Sequence, residues 1–321
     1  MDMNIANPIY DASFKYLMED IEAAKVLIAE IIGEKVVSLE PQQQETVVIK
    51  KRDKKRGKKA QTDEKETLQQ AEKVLQQAEK SVVRLDFLAK IELKDGTQEA
   101  VSIELQKCKD ATDLIRFREY LGSLYIKQSL RLKDDTDTPL PLYSIYLLGT
   151  GYGNLSPDHA ILLVTPEVCD AVTGEKVEGR ISFVDALSHR SLIAQLPLLS
   201  RDLEHDIEKL LALFEARPRV YDNPENLVID ASWYPERFRP VLDRLKEANE
   251  SEAIRTQMRR EKLDRRDAEA IREKLAAQEV ELKAKDEKID TLEEEKDALK
   301  EKNKTLKEEI KRLQAELKKK K

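Results

Sequence analysis

A mixed α/β core followed by a C-terminal coiled coil is the architecture this sequence predicts, and three patterns predict it. Apolar residues recur at helical spacing between Asp11 and Ile32. They alternate with period two from Val82 to Lys107, around a Lys-Asp-Gly turn. A seven-residue repeat carrying mostly leucine and isoleucine at one position then runs from Leu275 to Leu317.

The elements follow in order. Phe14, Leu17, Met18, Ile21, Ala24, Leu27, Ile28 and Ile31 form one stripe of an opening helix, with Asp11 or Ser13 able to cap its start and Gly33 its end. KVVSLEPQQQETVVIKK suggests a first strand or an irregular edge pair. Residues 51–80 read as an insertion between two strands: a charged loop, then a short helix carrying the repeat LQQAEKV/LQQAEKS (Leu68–Ser81). After the hairpin, Asp110–Leu132 is a second amphipathic helix with Ile115, Tyr120, Leu121, Leu124 and Tyr125 on or near one side. LYSIYLL (Leu142–Leu148) and HAILLVTP read as buried strands, Asp202–Ala216 as a further helix, and RPRVYDNPENL as a loop. This order of strands and helices suits a mixed core rather than a sandwich.

In the tail, Leu275, Leu282, Ile289, Lys296, Asn303, Ile310 and Leu317 occupy one seam position. Gln278, Lys285, Leu292, Leu299, Leu306 and Leu313 occupy the other. Isoleucine at the first and leucine at the second favour a two-stranded coil, and Asn303 and Lys296 fix its register at some cost in stability. A homodimer is the expected assembly. The expected organisation is a core domain over 1–216 with its charged insertion at 51–80, a linker or helical region over 217–255, and the coiled coil over 256–321.

Composition narrows the function classes. Of 321 residues 37% are charged, against roughly 25% in an average globular domain. No apolar run approaches the ~18 residues of a membrane span. MDMNIANPIYD lacks the layout of a signal peptide, so a soluble, cytoplasmic protein with no membrane partner is expected. Cys108 and Cys169 cannot build a disulfide framework or a zinc site, and His159, His189 and His205 lie far apart. The net charge is −6; from Thr256 onward 21 basic and 18 acidic residues give +3, leaving −9 on residues 1–255. Within those, Lys50–Lys59 (KKRDKKRGKK) carries eight basic residues and one acid, a local +7 on a body near −16. A nucleic-acid partner would therefore be met by a local basic patch and a metal, against an unfavourable background field.

The hairpin carries the chemistry. Val83, Leu85, Phe87, Ala89, Ile91 and Leu93 line one face of its first arm; Val101, Ile103 and Leu105 line the same face of the second. Keeping both apolar sets together requires a loop with an odd number of residues, which Lys94-Asp95-Gly96 supplies, with Gly96 where a left-handed backbone is wanted. That register sets Asp86 opposite Glu104, Cβ atoms roughly 4.5–5.5 Å apart. Like charges so placed repel unless one is protonated or a cation lies between them. On the strand pattern alone the two acids could instead face water and pair with Arg84, Lys90 or Lys107. Helices on both sheet faces would cover them, and covered carboxylates need partners. A Gly-rich run, Gly149–Asn154, lacks the spacing of a phosphate loop and reads as a turn.

An acidic residue on one strand, a hairpin, Glu-x-Gln on the next strand and a following helix resemble the PD-(D/E)XK nuclease superfamily. More narrowly they are similar to its recombination-promoting nuclease and putative transposase branch. The branch's opening Asp-x-x-Phe-Lys is matched by Asp11, Phe14 and Lys15. Its strand acid is matched by Asp86, its Glu-x-Gln by Glu104 and Gln106, and its helix pattern by Arg116, Tyr120, Leu124 and Tyr125. The resemblance covers about residues 7–150. It implies a restriction-endonuclease-like core and a DNA endonuclease dependent on Mg²⁺ or Mn²⁺. Asp86, Glu104 and the main chain of Leu105 would hold the metal, with Gln106, Asp11 and Lys15 completing the catalytic set. Lys50, Lys51, Arg52, Lys54, Lys55, Arg56, Lys58, Lys59 and Arg116 would contact DNA. The superfamily's lysine is replaced here by Gln106, which carries no charge; Lys15 or Lys90 is a candidate substitute, and Lys107 falls on the wrong face. The competing class is a catalytically degenerate nuclease fold serving as a coiled-coil dimeric interaction or DNA-binding protein.

Overall fold

The computed structural model describes residues 2–50, 79–106, 113–127, 129–131, 138–149, 155–156, 158–179, 181–199, 202–214 and 225–319. Most of the basic tract, the centre of the insertion and Lys107 lie outside these residues. The chain divides into two compact units, Met1–Arg259 and Arg260–Lys321.

The first unit is mixed α/β. Its strands are β1 (Asp2–Ala6), β2 (Val36–Pro41), β3 (Glu45–Lys50), β4 (Glu79–Arg84), β5 (Phe87–Leu93), β6 (Gln98–Gln106), β7 (Leu142–Leu148), β8 (Ile161–Val164), β9 (His189–Gln195) and β10 (Asn226–Asp230). Its helices are α1 (Asp11–Glu19), α2 (Ile21–Ile32), α3 (Asp113–Tyr125), α4 (Ser182–Leu187), α5 (Asp206–Ala212) and α6 (Arg239–Glu250). A six-stranded sheet in the order β2-β5-β6-β7-β9-β8 forms the centre, and β1-β10 and β3-β4 are separate two-stranded ribbons. β6, β7 and β9 run parallel; β2, β5 and β8 join antiparallel.

Each strand presents alternate residues to the two faces. Phe87, Ala89, Ile91, Val101, Ile103, Ile145 and Leu192 enter the main core, together with Phe14 and Leu17 of α1, Leu27 and Ile28 of α2, and Leu242 and Leu245 of α6. The opposite face holds a smaller cluster in which Leu124 of α3 meets Leu85, Leu88, Ala100 and Leu142. Both faces of the central strands are thus covered, as the long buried runs of β6 and β7 require.

The hairpin register is the predicted one: Phe87 pairs with Ile103, Ala89 with Val101 and Ile91 with Glu99. The Leu93 N–H donates to the Thr97 carbonyl at 2.8 Å, and the Gly96 N–H to the Leu93 carbonyl at 3.0 Å, closing the loop over Lys94-Asp95-Gly96. Gly96 adopts φ 86°, the left-handed conformation that a residue without Cβ takes at no steric cost.

Other expectations are corrected. The opening helix breaks at Asp20, whose carboxylate caps α2 by accepting from the Ala23 N–H at 2.9 Å. The first hairpin arm is not continuous from Val82: Val83 pairs with Thr46 in the β3-β4 ribbon, and Leu85 turns to the other face of the sheet. Glu79, Lys80 and Ser81 open β4 instead of ending a helix. Ile115 is exposed, because α3 turns Tyr120 and Leu124 to the sheet. β8 is an edge strand with Leu163 62% exposed, where a buried strand was expected. Residues 217–255, read as a linker or helical region, contribute β10 and α6 to the first unit's core.

α7 (Glu252–Lys319) is one continuous helix. It begins in the first unit, where Met258 is buried, and its remainder forms the second. Leu282, Ile289, Leu292, Leu299, Leu306 and Ile310 are all more than half exposed in the single chain.

At the start of β6, Glu99 is 1% exposed and accepts two hydrogen bonds from Arg190 Nη2, at 2.5 and 2.6 Å. Arg190 also reaches Glu34 at 3.2 Å and lies over the Tyr143 ring, 4.8 Å from its centroid. Arg190→Ala leaves the buried carboxylate uncompensated and should destabilise the fold by about 3–5 kcal/mol. Urea denaturation of the variant, followed by circular dichroism, measures this; a loss near zero would show that Glu99 finds another partner.

Candidate active site at the end of the central sheet

β6, β7 and β9 finish at one end of the sheet, where antiparallel β5 begins. This brings Asp86, Glu104, Gln106 and Tyr146 together from positions 60 residues apart in the chain. In such sheets the carboxyl ends of parallel strands are where ligands bind.

Asp86 occupies the bend just before β5. Leu93 and Thr97 are a hydrogen-bonded pair, so alternation along the ladder would give the Leu105 N–H to the carbonyl of Leu85. The chain turns away first, the Leu85 N–H donating to the Gln44 carbonyl at 3.1 Å. Asp86 Oδ2 takes the vacated donor instead, accepting from the Leu105 N–H at 2.7 Å. Leu105 thus enters the site through its main chain.

Glu104 is 6% exposed, and its Oε1 is buried with no hydrogen-bond partner. Burial pushes its carboxyl well above the ordinary 4.5, and the neighbouring Asp86 charge pushes in the same direction. Arg116 and a backbone hydrogen bond at Asp86 act against this without reversing it. Gln106 is 8% exposed on the same side of β6, and its Oε1 accepts from Arg116 Nη2.

The Arg116 guanidinium lies 5.9 Å from the ring centroids of both Phe117 and Tyr120. Tyr120 is held above its ordinary value, first by burial, with the Glu104 and Asp86 charges adding. Tyr146, in register with Glu104 on β7, packs its ring 5.0 Å from that of Phe117, and burial pushes its phenol up to about 12. Tyr146 and Phe117 were missed in the sequence, because the pairing of β6 with β7 is set by tertiary structure.

Of the other predicted residues, Asp11 and Lys15 both lie on α1. Lys15 pairs with Asp11 one turn away on α1, at 2.7 Å. Lys90 Nζ approaches the Arg131 carbonyl at 3.5 Å. Lys50 closes the β3-β4 ribbon opposite Glu79, and the rest of the basic tract, Lys51 to Lys59, lies outside the described residues. Tyr125, from the same helix pattern as Arg116, bonds His189 Nδ1 at 2.9 Å.

Among the described residues no group of three or more His, Cys, Asp or Glu side chains is placed to hold a metal ion. The site offers two carboxylates, the Gln106 amide oxygen and main-chain oxygens, a donor set of the hard type that Mg²⁺ and Mn²⁺ take alongside waters. The orphaned Glu104 Oε1 fits such an ion. Among the described residues no helix is long and apolar enough to cross a membrane. Comparisons with protein-family models, curated proteins and solved structures return no match to this chain.

The raised Glu104 carboxyl has a stability consequence of definite sign. The folded state keeps a proton that the unfolded state gives up above ~4.3. Stability is therefore lost as pH rises from that value through the folded one. Glu104→Gln, neutral at every pH, should melt higher than the parent at neutral pH by about 2–4 °C for each kcal/mol recovered. The gap should close near pH ~4. Metal-free thermal melts across this range test it; a gap independent of pH would show that Glu104 does not titrate upward in the fold.

Proposed function

We propose that this protein is a divalent-metal-dependent DNA endonuclease with a restriction-endonuclease-like core, of the recombination-promoting nuclease type within the PD-(D/E)XK superfamily. One observation carries the reading: a buried carboxylate with an orphaned oxygen, Glu104, lies beside Asp86 in the register of a hairpin that ends at the ligand-binding end of a mixed sheet. A core carboxyl left without a hydrogen-bond partner is costly. The cost is offset where a cation completes the pair.

Asp86, Glu104 and the main chain of Leu105 would hold Mg²⁺ or Mn²⁺. Such an ion, when bound, lowers the pKa of its water and stabilises negative charge on a scissile phosphate. Asp86 is oriented for this by the Leu105 N–H. Glu104 would ligate as the carboxylate, against the upward push of burial on its carboxyl. Phe117 packs on Tyr146, and Tyr120 and Tyr146 are close enough to Glu104 for its charge to act on their phenols.

Purified protein should nick or cut DNA only with Mg²⁺ or Mn²⁺. Asp86→Ala and Glu104→Ala should each abolish cleavage with the circular dichroism spectrum unchanged. Activity persisting in either variant would remove the metal-site assignment, and absence of any divalent-ion binding in calorimetry would favour a non-catalytic platform.

The exposed seam of α7 supports a second part of the reading, a homodimer formed with another copy of this chain. Leu282, Leu292, Leu299 and Leu306 keep to two seam positions of one seven-residue repeat, and pairing two such stripes buries them. Truncation after Glu269 leaves the first unit whole and should give a monomer by light scattering. A dimer of unchanged mass would place the contact on another surface.

A further inference from the structure

Phosphodiester hydrolysis concentrates negative charge on the non-bridging oxygens, and a fixed cation beside them lowers the barrier. Gln106 stands where the lysine is expected; of the two candidate substitutes, Lys15 pairs with Asp11 and Lys90 Nζ lies 3.5 Å from the Arg131 carbonyl.

Among the described residues, the cation that acts on Glu104 is Arg116. It comes from α3, not from the strand, and it is held from several directions. Gln106, two residues beyond Glu104 and largely buried, accepts from its Nη2. The rings of Phe117 and Tyr120 flank its guanidinium at 5.9 Å, within cation–π range. Phe117 is in turn packed on Tyr146, the β7 neighbour of Glu104. Arg116 is close enough to Glu104 for its charge to act on that carboxyl. A guanidinium has five N–H donors in a rigid fork that matches a phosphate, and the buried Arg116 Nε has no hydrogen-bond partner.

We infer that Arg116 is a catalytic residue, the cation that binds the non-bridging oxygens of the scissile phosphate, and that Gln106 is the positioning residue that aims it. The inference rests on the nuclease reading above. It divides one lysine's work between two residues: the strand amide orients and the helix guanidinium carries the charge. In the step itself the water oxygen bonds to phosphorus. The leaving oxygen departs with the electron pair of the broken P–O bond and takes up one proton of that water, and the other proton stays on the phosphate product. Arg116 keeps all its protons and donates hydrogen bonds throughout.

The test uses the full-length chain in four forms: wild type, Arg116→Ala, Gln106→Ala and the double variant. Cleavage kinetics with Mg²⁺ are read beside two measurements that need no turnover, Mg²⁺ binding by calorimetry and inorganic phosphate binding in Mg²⁺ by ³¹P NMR. Arg116→Ala should lower kcat by about 100-fold with KM little changed. It should also weaken phosphate by about tenfold. Gln106→Ala should lower kcat and phosphate affinity less, and cost nothing further once Arg116 is gone, a coupling that a merely structural amide does not produce. Additive losses overturn the positioning role. An Arg116→Ala protein with normal kcat and raised KM reduces Arg116 to a DNA contact and overturns the catalytic one. A wild type that neither binds Mg²⁺ nor cuts sinks the nuclease reading itself. The phosphate titration still decides Arg116 in that case, and unchanged affinity in Arg116→Ala overturns it.

Discussion

The register of the β5-β6 hairpin is the constraint on which the rest depends. Side chains alternate with period two, so a slip of one residue would carry Val101, Ile103 and Leu105 out of the core and Glu104 into it. The three residues of the turn and the left-handed backbone at Gly96 prevent that slip. β7 then pairs in parallel with β6, and β9 with β7, in registers that keep the main core on one side. On the other side the same registers align Ser102 with Ser144 and Ser191, and Glu104 with Tyr146. The Ser102 and Ser144 hydroxyls hydrogen-bond at 3.2 Å, so even these buried polar groups are satisfied across the strands.

Against that background the two buried glutamates of β6 differ in kind. Glu99, at the start of the strand, is answered by an arginine whose Nη2 donates to both its oxygens and which is itself stacked on Tyr143. The pair is internally complete and holds β6 to β9. Glu104, near the end of the strand, has an orphaned oxygen and a like charge as its neighbour. Burial is common to both; completeness separates the paired carboxylate from the orphaned one.

Asp86 joins the backbone economy of the hairpin to the site. By ending β5 at a bend, the chain leaves the Leu105 N–H without its ladder partner, and the Asp86 carboxylate fills that place. The same departure from strand geometry frees β4 to pair with β3, so the ribbon carrying the insertion starts next to the site acids. Removing Asp86 would therefore disturb a strand terminus as well as a charge.

Much of the hairpin was determined locally. The turn length, the Gly96 conformation, the pairing of Phe87 with Ile103 and the apolar core face of β6 all follow from alternation and one left-handed residue. The continuity of α7 follows equally from its uninterrupted helix formers. Tertiary structure decided the rest. The break at Asp20 depends on capping geometry that periodicity does not see, and the bend at Asp86 depends on competition from the β3-β4 ribbon. The edge position of β8 reflects strand order, which local pattern does not encode. The same holds for the groups around the carboxylates: Tyr146 reaches Glu104 only because β7 lies parallel to β6. Arg116, ten residues from Gln106 in the chain, is brought back over it by α3 folding onto the sheet. Sequence periodicity specifies which face a side chain takes, and only packing between distant elements specifies what that face meets.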